Sequence, residues 1–575
     1  MMKLIQAIAD KNRVMLLLII FFYALIVPCT ARAQNVVMPS IKTDAVNRAG
    51  VDTSKTAKLS LQDAVKMALE NNRDIEIERI KVELNEFNVK AAGGAYDPTF
   101  GSHLTYGRSS IPVASALAGT QEGRLKESDL SSGIRLTQKL PWQGGTIEGT
   151  FDHGRTTSDN LFLSLNPQYN TRLEFKITQP LFRNRTIDGE RRQIRVANKQ
   201  LNLSDSQFRQ KVIEIISQVQ RAYWELVFAQ RDHEIKRDSV ELARAQLEHN
   251  QRLVEKGTLA PLEVISARVE VERRTDEAEA ALEAIQRTEN VLKSLIVAPN
   301  SRQFWDSTLM LTDQPMIDAE QPMQFDEAMS LALSNRPEME QYRLRGEINA
   351  VDVEYFRNQT KPQIDFIASY AALGLAGSER VVTNPIFDNN TALLGRVNQL
   401  SALAGLSALP PIALAPVPEK LVGGYGQSLS NLFRNDFRVW QFGISINFSI
   451  GNRTAKANLG YALAEGKQID TERQRTKQSI EVEVRNALQS VETARRRFNA
   501  ARNSRVDAEL QFTGEQRKFD GGLSTNFLIL DRQNALVSAR GREIKALTDY
   551  NKAVIELQRA LSITLSTNNI AVASR

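Results

Sequence analysis

Two hydrophobic periods alternate along this chain. Leu61, Ala64, Val65, Ala68 and Leu69 recur at the spacing of an amphipathic helix with one apolar stripe. Phe325, Ala328, Met329, Ala332 and Leu333 repeat the same stripe in the second half of the chain, at an offset of 264. Ser60 with Asp63 resembles a capping box at the first start. Pro98 and Pro362 keep the offset of 264, and glycine turns at Gly257 and Gly522 lie 265 apart. Three landmarks in one order make the chain a tandem repeat. The expected layout is an N-terminal extension at 34–58, a first repeat at 59–323, a second at 324–566 and a tail at 567–575.

After each opening helix the period falls to two. Phe100, Leu104 and Tyr106 share a parity, as do Ile134, Leu136 and Leu140. Ile147, Gly149 and Phe151 alternate with polar residues, and so do Leu173, Phe175 and Ile177. In the second half Ile364, Phe366, Ala368 and Tyr370 share a face, and Phe442, Ile444, Ile446, Phe448 and Ile450 form another alternating run. Runs of about 9–11 such residues suit a membrane β-barrel, apolar outward and polar toward a lumen. A soluble β-sandwich shows the same period. The first half offers four strand-like segments, with Trp142 to Gly145 as a tight turn between the middle pair, and the second half two. Either the barrel is enlarged or a hairpin sits outside it, so four or six barrel strands per chain stay open. Residues 371–437, rich in Ala, Gly and Pro, read as a long insertion, a loop at the cell exterior.

Between the strands lie helices too long for a globule. Residues 188–254 lack proline and carry Val212, Ile216, Val219, Tyr223 and Leu226 on one stripe; at 1.5 Å per residue they reach roughly 100 Å, as do residues 452–520. In the latter, Ile480, Val484, Ala487, Val491, Ala494, Phe498, Ala501, Ala508 and Phe512 keep a 4–3 spacing, and the strict heptad implies left-handed supercoiling. The shorter segments 261–297 and 325–358 sum to about one long helix, and so do 526–565 and 59–92. Stacked end to end, they would flank the long helices in a helical barrel of constant length. An ordinary coiled-coil rod is the competing reading of the seam.

The N-terminus changes the picture. Lys3, Lys11 and Arg13 precede an uninterrupted apolar run from Val14 to Val27, and Ala31-Arg32-Ala33 follows. That is a signal peptide over 1–33, short of the ~20 apolar residues of a spanning helix. The one cysteine, Cys29, lies inside it, which excludes disulfides and thiolate metal sites from the mature chain. Lipidation of Cys29 is the alternative. Cleavage removes a net +3, so the formal +6 falls to about +3, dispersed on solvated helix faces rather than gathered for nucleic acid. No later segment has 18 consecutive apolar residues, so a membrane would be crossed by strands.

No catalytic, cofactor or metal pattern stands out. His103, His153, His233 and His249 are scattered, and no HExxH, GxSxG or P-loop occurs. The residues speak against an enzyme and for a conduit, with an exported coiled-coil envelope spacer or adhesin as the alternative and an adaptor protein as a lesser one.

Opening helices, strand pairs, long helices and the Gly257 and Gly522 turns together resemble the TolC-like outer-membrane efflux protein family over residues 59–566. The resemblance implies the protomer of a homotrimeric channel-tunnel: a mixed fold of membrane β-barrel in the outer-membrane lipid and long α-helical barrel in the periplasm. It implies efflux or type I secretion with a periplasmic adaptor protein and an inner-membrane transporter. It also implies a periplasmic aperture built around the glycine turns. There the family pairs an acid, here Glu263, with a base, but the corresponding residue is Ser524, which departs from an ion-paired lock. Of two pore-narrowing acids, the matching positions are Leu528 and Asp531. A ring of Asp531 would favour cations, and Leu528 would form an apolar constriction; an exposed helix face is the plainer reading of Asp531. Cargo, partner pump and resting state of the gate are left open by the sequence.

Overall fold

The computed structural model describes residues 52–114, 123–298, 301–317, 323–380, 385–410 and 416–571. The signal peptide, its cleavage site and Cys29 lie outside them. Residues Ser54–Arg575 form one compact unit.

The opening helix α1 (Leu61–Asn71) starts where Ser60 accepts from the Asp63 amide at 3.1 Å, the cap the sequence predicts. It does not run on to residue 92. It stops at Asn72, in extended conformation, whose carboxamide oxygen caps α2 (Arg73–Gly93) by accepting from the amides of Asp74 and Ile75. The first helix also begins two residues later than expected, because strand β1 (Asp52–Leu59) occupies the end of the presumed extension.

Strands β2 (Thr99–Pro112), β3 (Arg124–Lys139), β4 (Thr146–Ser158) and β5 (Leu165–Pro180) follow. Next comes the first long helix, α3 (Gly189–Glu255), capped by Asp188, then α4 (Pro261–Ile296), one residue shorter than expected. A short turn α5 (Arg302–Trp305) leads to β6 (Ser307–Leu311), which pairs with β1 in a two-stranded sheet. The second opening helix, α6 (Phe325–Asn335), is separated from α7 (Pro337–Gln359), so residues 325–358 are not one helix. Pro337 has no amide hydrogen and bars Arg336 from helical conformation.

Strand β7 (Gln363–Glu379) overlaps the start of the presumed loop, which itself contains helices α8 (Pro385–Leu403) and α9 (Tyr425–Arg434). The expectation of a loop over 371–437 is therefore corrected: a strand and two helices take most of it, while residues 406–410 and 416–418 have no regular structure. Strand β8 (Phe437–Asn447) ends before Phe448 and Ile450, which the alternation had included, because the chain turns at Gly451 and Asn452, both at positive φ. The second long helix α10 (Arg453–Asp520) and α11 (Asn526–Ala560) complete the architecture, with a terminal turn α12 (Thr564–Thr567). Helix α11 stops short of residue 565 where Ser562 takes a positive φ.

All six long strands form one antiparallel sheet in the order β2-β3-β4-β5-β7-β8. The middle hairpin, turned at Trp142 to Gly145 with Leu140 bonded to Gly145 at 2.8 Å, is part of that sheet. The strands run 11 to 17 residues, longer than the runs of about 9–11 expected. Following the pairing from Thr99 on β2 leads to Thr137, Glu148, Lys176, Ser369 and Gln441. Thr99 opens its strand, whereas Gln441 stands well inside β8, so the strands are staggered as in a tilted barrel wall. One face carries Phe100, Leu104, Ile134, Leu136, Phe175, Phe442, Ile444 and Ile446, largely exposed. The opposite face carries Arg135 with Glu148 and Arg172 with Glu174 as ion pairs.

The helical part has two cores. One gathers α1, α2, α3 and α4 around Val212, Ile216, Val219, Tyr223 and Leu226, the stripe read from the sequence, all fully buried. The other gathers α6, α10 and the end of α11 around Ile480, Val484 and Ala487. Along the heptad seam Ala494 is also buried, and Val491, Phe498, Ala501, Ala508 and Phe512 are less so. Among the described residues no helix is long and apolar enough to cross a membrane.

Candidate functional site

Both helical hairpins, α3–α4 and α10–α11, turn at the end remote from the sheet, and they turn alike. Gly257 has φ +72° and Gly522 φ +74°, a conformation that side-chained residues rarely adopt. Thr258 donates back to the Leu253 carbonyl and Leu523 to Lys518, at 2.9 and 2.8 Å, the closing bonds of a Schellman motif. Each turn then starts the next helix. Pro261 sits at the first position of α4, and Thr525 caps α11.

The two turns are tied by a chain of side-chain amides. Gln246 donates to Asn250 at 2.9 Å, Asn250 to Asn526 at 2.9 Å, and Asn526 to the Glu263 carboxylate at 2.9 Å. These groups sit on α3, α11 and α4, and Gln246, Asn250 and Asn526 are buried. Burial in a low-dielectric setting strengthens such bonds and makes a broken one costly. His249 packs its ring on Phe519 at 5.8 Å, closing the two long helices beside the chain of amides.

The residues picked from the sequence are thus partly brought together. Glu263 is in the cluster, but its partner is Asn526, not Ser524. Ser524 donates to Glu515 on its own hairpin. Leu528 and Asp531 stand apart on an exposed face of α11. Asp531 is 54% exposed and lies 3.8 Å from Arg532. The apolar residues Leu262, Ile265, Leu523 and Phe527 are exposed around them.

Sequence reasoning missed Gln246, Asn250, Asn526 and Arg274. Arg274 is 1% exposed and joins three helices. It bonds Glu270 on α4 at 2.8 Å, the Ser239 carbonyl on α3 at 3.1 Å, and Gln533 and Asn534 on α11. Burial is the largest influence on Glu270 and pushes its pKa up. Hydrogen bonds and charge from Arg273 and Arg274 together outweigh it and hold the carboxyl below its ordinary range. The one available sequence signal was positional: Asn526 matches Pro261 at the same offset as the two glycine turns, where a helix start needs no amide side chain. Among the described residues no group of His, Cys, Asp and Glu is arranged to hold a metal ion.

Comparison with known proteins matches this geometry. The outer membrane efflux protein family matches residues 64–296 and 419–562, well over half of the chain. No curated protein matches the sequence significantly. Among solved structures, the outer-membrane channel OprN superposes with a TM-score of 0.59 at 14% identity, covering 92% of this chain and 98% of that one. The outer-membrane channel CmeC of Campylobacter jejuni gives 0.58 at 14% identity, covering 94% and 99%. The outer membrane protein VceC of Vibrio cholerae gives 0.57 at 14%, covering 87% and 95%. At such identity the likeness speaks for the fold, a TolC-like channel-tunnel, and the family match for the role, which sets aside the spacer and adaptor readings. The chain belongs to the outer membrane efflux protein family and is a subunit of an outer-membrane efflux channel whose helices form a periplasmic tunnel.

Proposed function

We propose that three copies of this chain close into one channel, gated at the hairpin tips, that acts with a periplasmic adaptor and an inner-membrane transporter. The observation that carries the trimer is the sheet. Its edges, β2 and β8, have no partner strand within the described residues of the chain, and an open edge is not tolerated in hydrocarbon. Six strands from each of three copies join β8 of one to β2 of the next. With strands about 4.8 Å apart and tilted about 40°, such a barrel is roughly 35 Å across between backbones. That is the size class of water-filled porins. The tunnel's narrow point therefore falls at the other end, where the hairpins turn.

At that end the amide chain from Gln246 to Glu263 holds the two hairpins of a protomer together as a resting clamp. Asp531 and Leu528, exposed on α11, face the axis and narrow the aperture. Single-channel conductance in planar bilayers tests both assignments. Wild type should give small discrete steps with cation preference. Asn526→Ala should raise the conductance by loosening the clamp, and Asp531→Ala should weaken the cation preference while leaving step size close to wild type. A protein that never inserts would sink the channel reading; selectivity untouched by Asp531→Ala would remove that residue from the pore.

A further inference from the structure

Helix α9 turns polar residues toward the sheet and a large aromatic residue away from it. A helix lying on a protein surface in water turns its apolar stripe inward. Here Ser428 and Asn431 are fully buried against the sheet beside Leu432. Phe433 faces outward, 72% exposed, while Leu429 is half-buried and Tyr425 leans toward the sheet. The inward polar groups are all used. The Thr171 hydroxyl bonds Ser428 through both its hydroxyl, at 3.0 Å, and its carbonyl, at 3.2 Å. Asn431 donates to the Leu375 carbonyl at 2.9 Å, and Gly423 to the Gly377 carbonyl at 2.9 Å. Those carbonyls lie on β7 beyond Leu373, where β8 no longer covers its edge.

The face of the sheet under α9 is the apolar one. Thr171, Gly374 and His153 fall in register with Leu104 and Ser132, on the side that carries Phe175, Phe442 and Ile444. This polar row marks the outer rim of the apolar band; beyond it the same face carries Arg155, Arg108, Ser128 and Thr157. The ring of His153 is held by Ser132 at 2.7 Å and lies 5.0 Å from that of Tyr425. Gly374 allows the approach, since a Cβ there would stand 2.0 Å from the Ser428 carbonyl oxygen. Phe433 closes α9 just before β8, whose Trp440, Phe442, Ile444 and Ile446 are exposed on the same sheet face.

We infer that α9 is a lipid-facing strap: it covers the polar row on the outside of the barrel wall, with Tyr425 against His153, and presents Phe433 to the acyl chains of the outer leaflet. The leaflet follows from direction, because β7 leaves the helical end at Gln363 and reaches α9 near its far end. At ten residues α9 is about 15 Å long, so it lies along the interface and does not span. This rests on the barrel reading above.

Single nitroxide labels on the purified protein in liposomes, with Cys29 replaced by serine where it is retained, test it by collision with oxygen and with a water-soluble nickel chelate. Ile444→Cys marks the wall's apolar face, Ser445→Cys its polar face, and Phe433→Cys and Leu429→Cys mark the strap independently. The strap labels should show an oxygen-to-nickel ratio several-fold above that of Ser445→Cys and close to that of Ile444→Cys. Strap labels as nickel-accessible as Ser445→Cys, with Ile444→Cys still in lipid, would overturn the strap and keep the barrel. Strap labels shielded from both reagents would mean a protein cover and also overturn it. Ile444→Cys reading as aqueous would bring down the barrel reading itself.

Discussion

The two halves of the chain bend at equivalent places and secure the bend with different chemistry. Asn72 and Arg336 are matched by the repeat offset, and each separates an opening helix from the next. Their backbone angles are nearly identical: φ −70° and ψ 125° at Asn72, φ −68° and ψ 124° at Arg336. Each side chain then donates to an equivalent carbonyl near the end of its own hairpin. Asn72 bonds Leu295 at 3.0 Å and Arg336 bonds Ala560 at 2.8 Å. In the first half the links are neutral amides, with Asn71 also donating to the Ile296 carbonyl at 3.2 Å, and the helix start is made by the Asn72 side chain. In the second half Pro337 makes the helix start, which frees the bend residue to be a buried guanidinium. Arg336 also pairs with Glu483, which pairs with Arg559, and Arg559 pairs with Glu556, itself 2.6 Å from Arg221 on α3. The same geometry is thus held mainly by neutral amides bonded to the end of α4 in one repeat and by a charged network reaching α3, α10 and α11 in the other.

The sharpest way to break that comparison is to remove the buried charge. Arg336→Ala leaves Glu483 and the Ala560 carbonyl without this partner and should cost about 3 kcal/mol, read as a lowered midpoint of denaturant unfolding in detergent. At the tips, Asn526→Ala interrupts the amide chain between hairpins and should cost about 2 kcal/mol, again from the unfolding midpoint. Asn72→Ala removes a cap and one hydrogen bond, for about 1 kcal/mol. If Asn72→Ala destabilised as much as Arg336→Ala, the two bends would be energetically equivalent and the network around Arg336 without added effect.

Much of this architecture was legible because it is local. The stripe from Val212 to Leu226 and the seam from Ile480 to Phe512 need only their own helix to show a buried face. The positive φ of Gly257 and Gly522 follows from residue type and a break in periodicity. The bends were missed because Asn72 sits in an unbroken run of helix-compatible residues, and its cap and its bond to Leu295 appear only once α4 is in place. The clamp was missed for a related reason. Gln246 and Asn250 look like solvated positions, and their partner Asn526 lies in the other repeat. The ion-pair lock implied by resemblance directed attention to Ser524, two positions from the residue that bonds Glu263. Helices α8 and α9 escaped notice because the Ala, Gly and Pro content of 371–437 reads as a loop; the sequence period of α9 does not say which face turns inward.

The smallest expected effect separates the two bends by pH. Burial is the largest influence on Glu556 and raises its pKa. Hydrogen bonds and charge from Arg559 and Arg221 outweigh that and leave the carboxyl below its ordinary range. A carboxyl depressed in the folded state contributes stability that is fully present above its unfolded pKa, about 4.3, and is lost as pH falls through the folded value. The second bend should therefore loosen in acid below about pH 4, whereas the Asn72 link to Leu295 is a neutral amide that carries no titrating group, the nearest pair there being Asp74 with Lys211 at 3.3 Å. Hydrogen exchange at the amides of α7 and of α2, compared at neutral pH and in mild acid, reads the two bends separately. Protection should fall more in α7 than in α2, and Glu556→Gln should shrink the acid-dependent part of that fall. Equal losses in both helices, unchanged by Glu556→Gln, would show that acid acts on the tunnel as a whole and not through the Arg336 network.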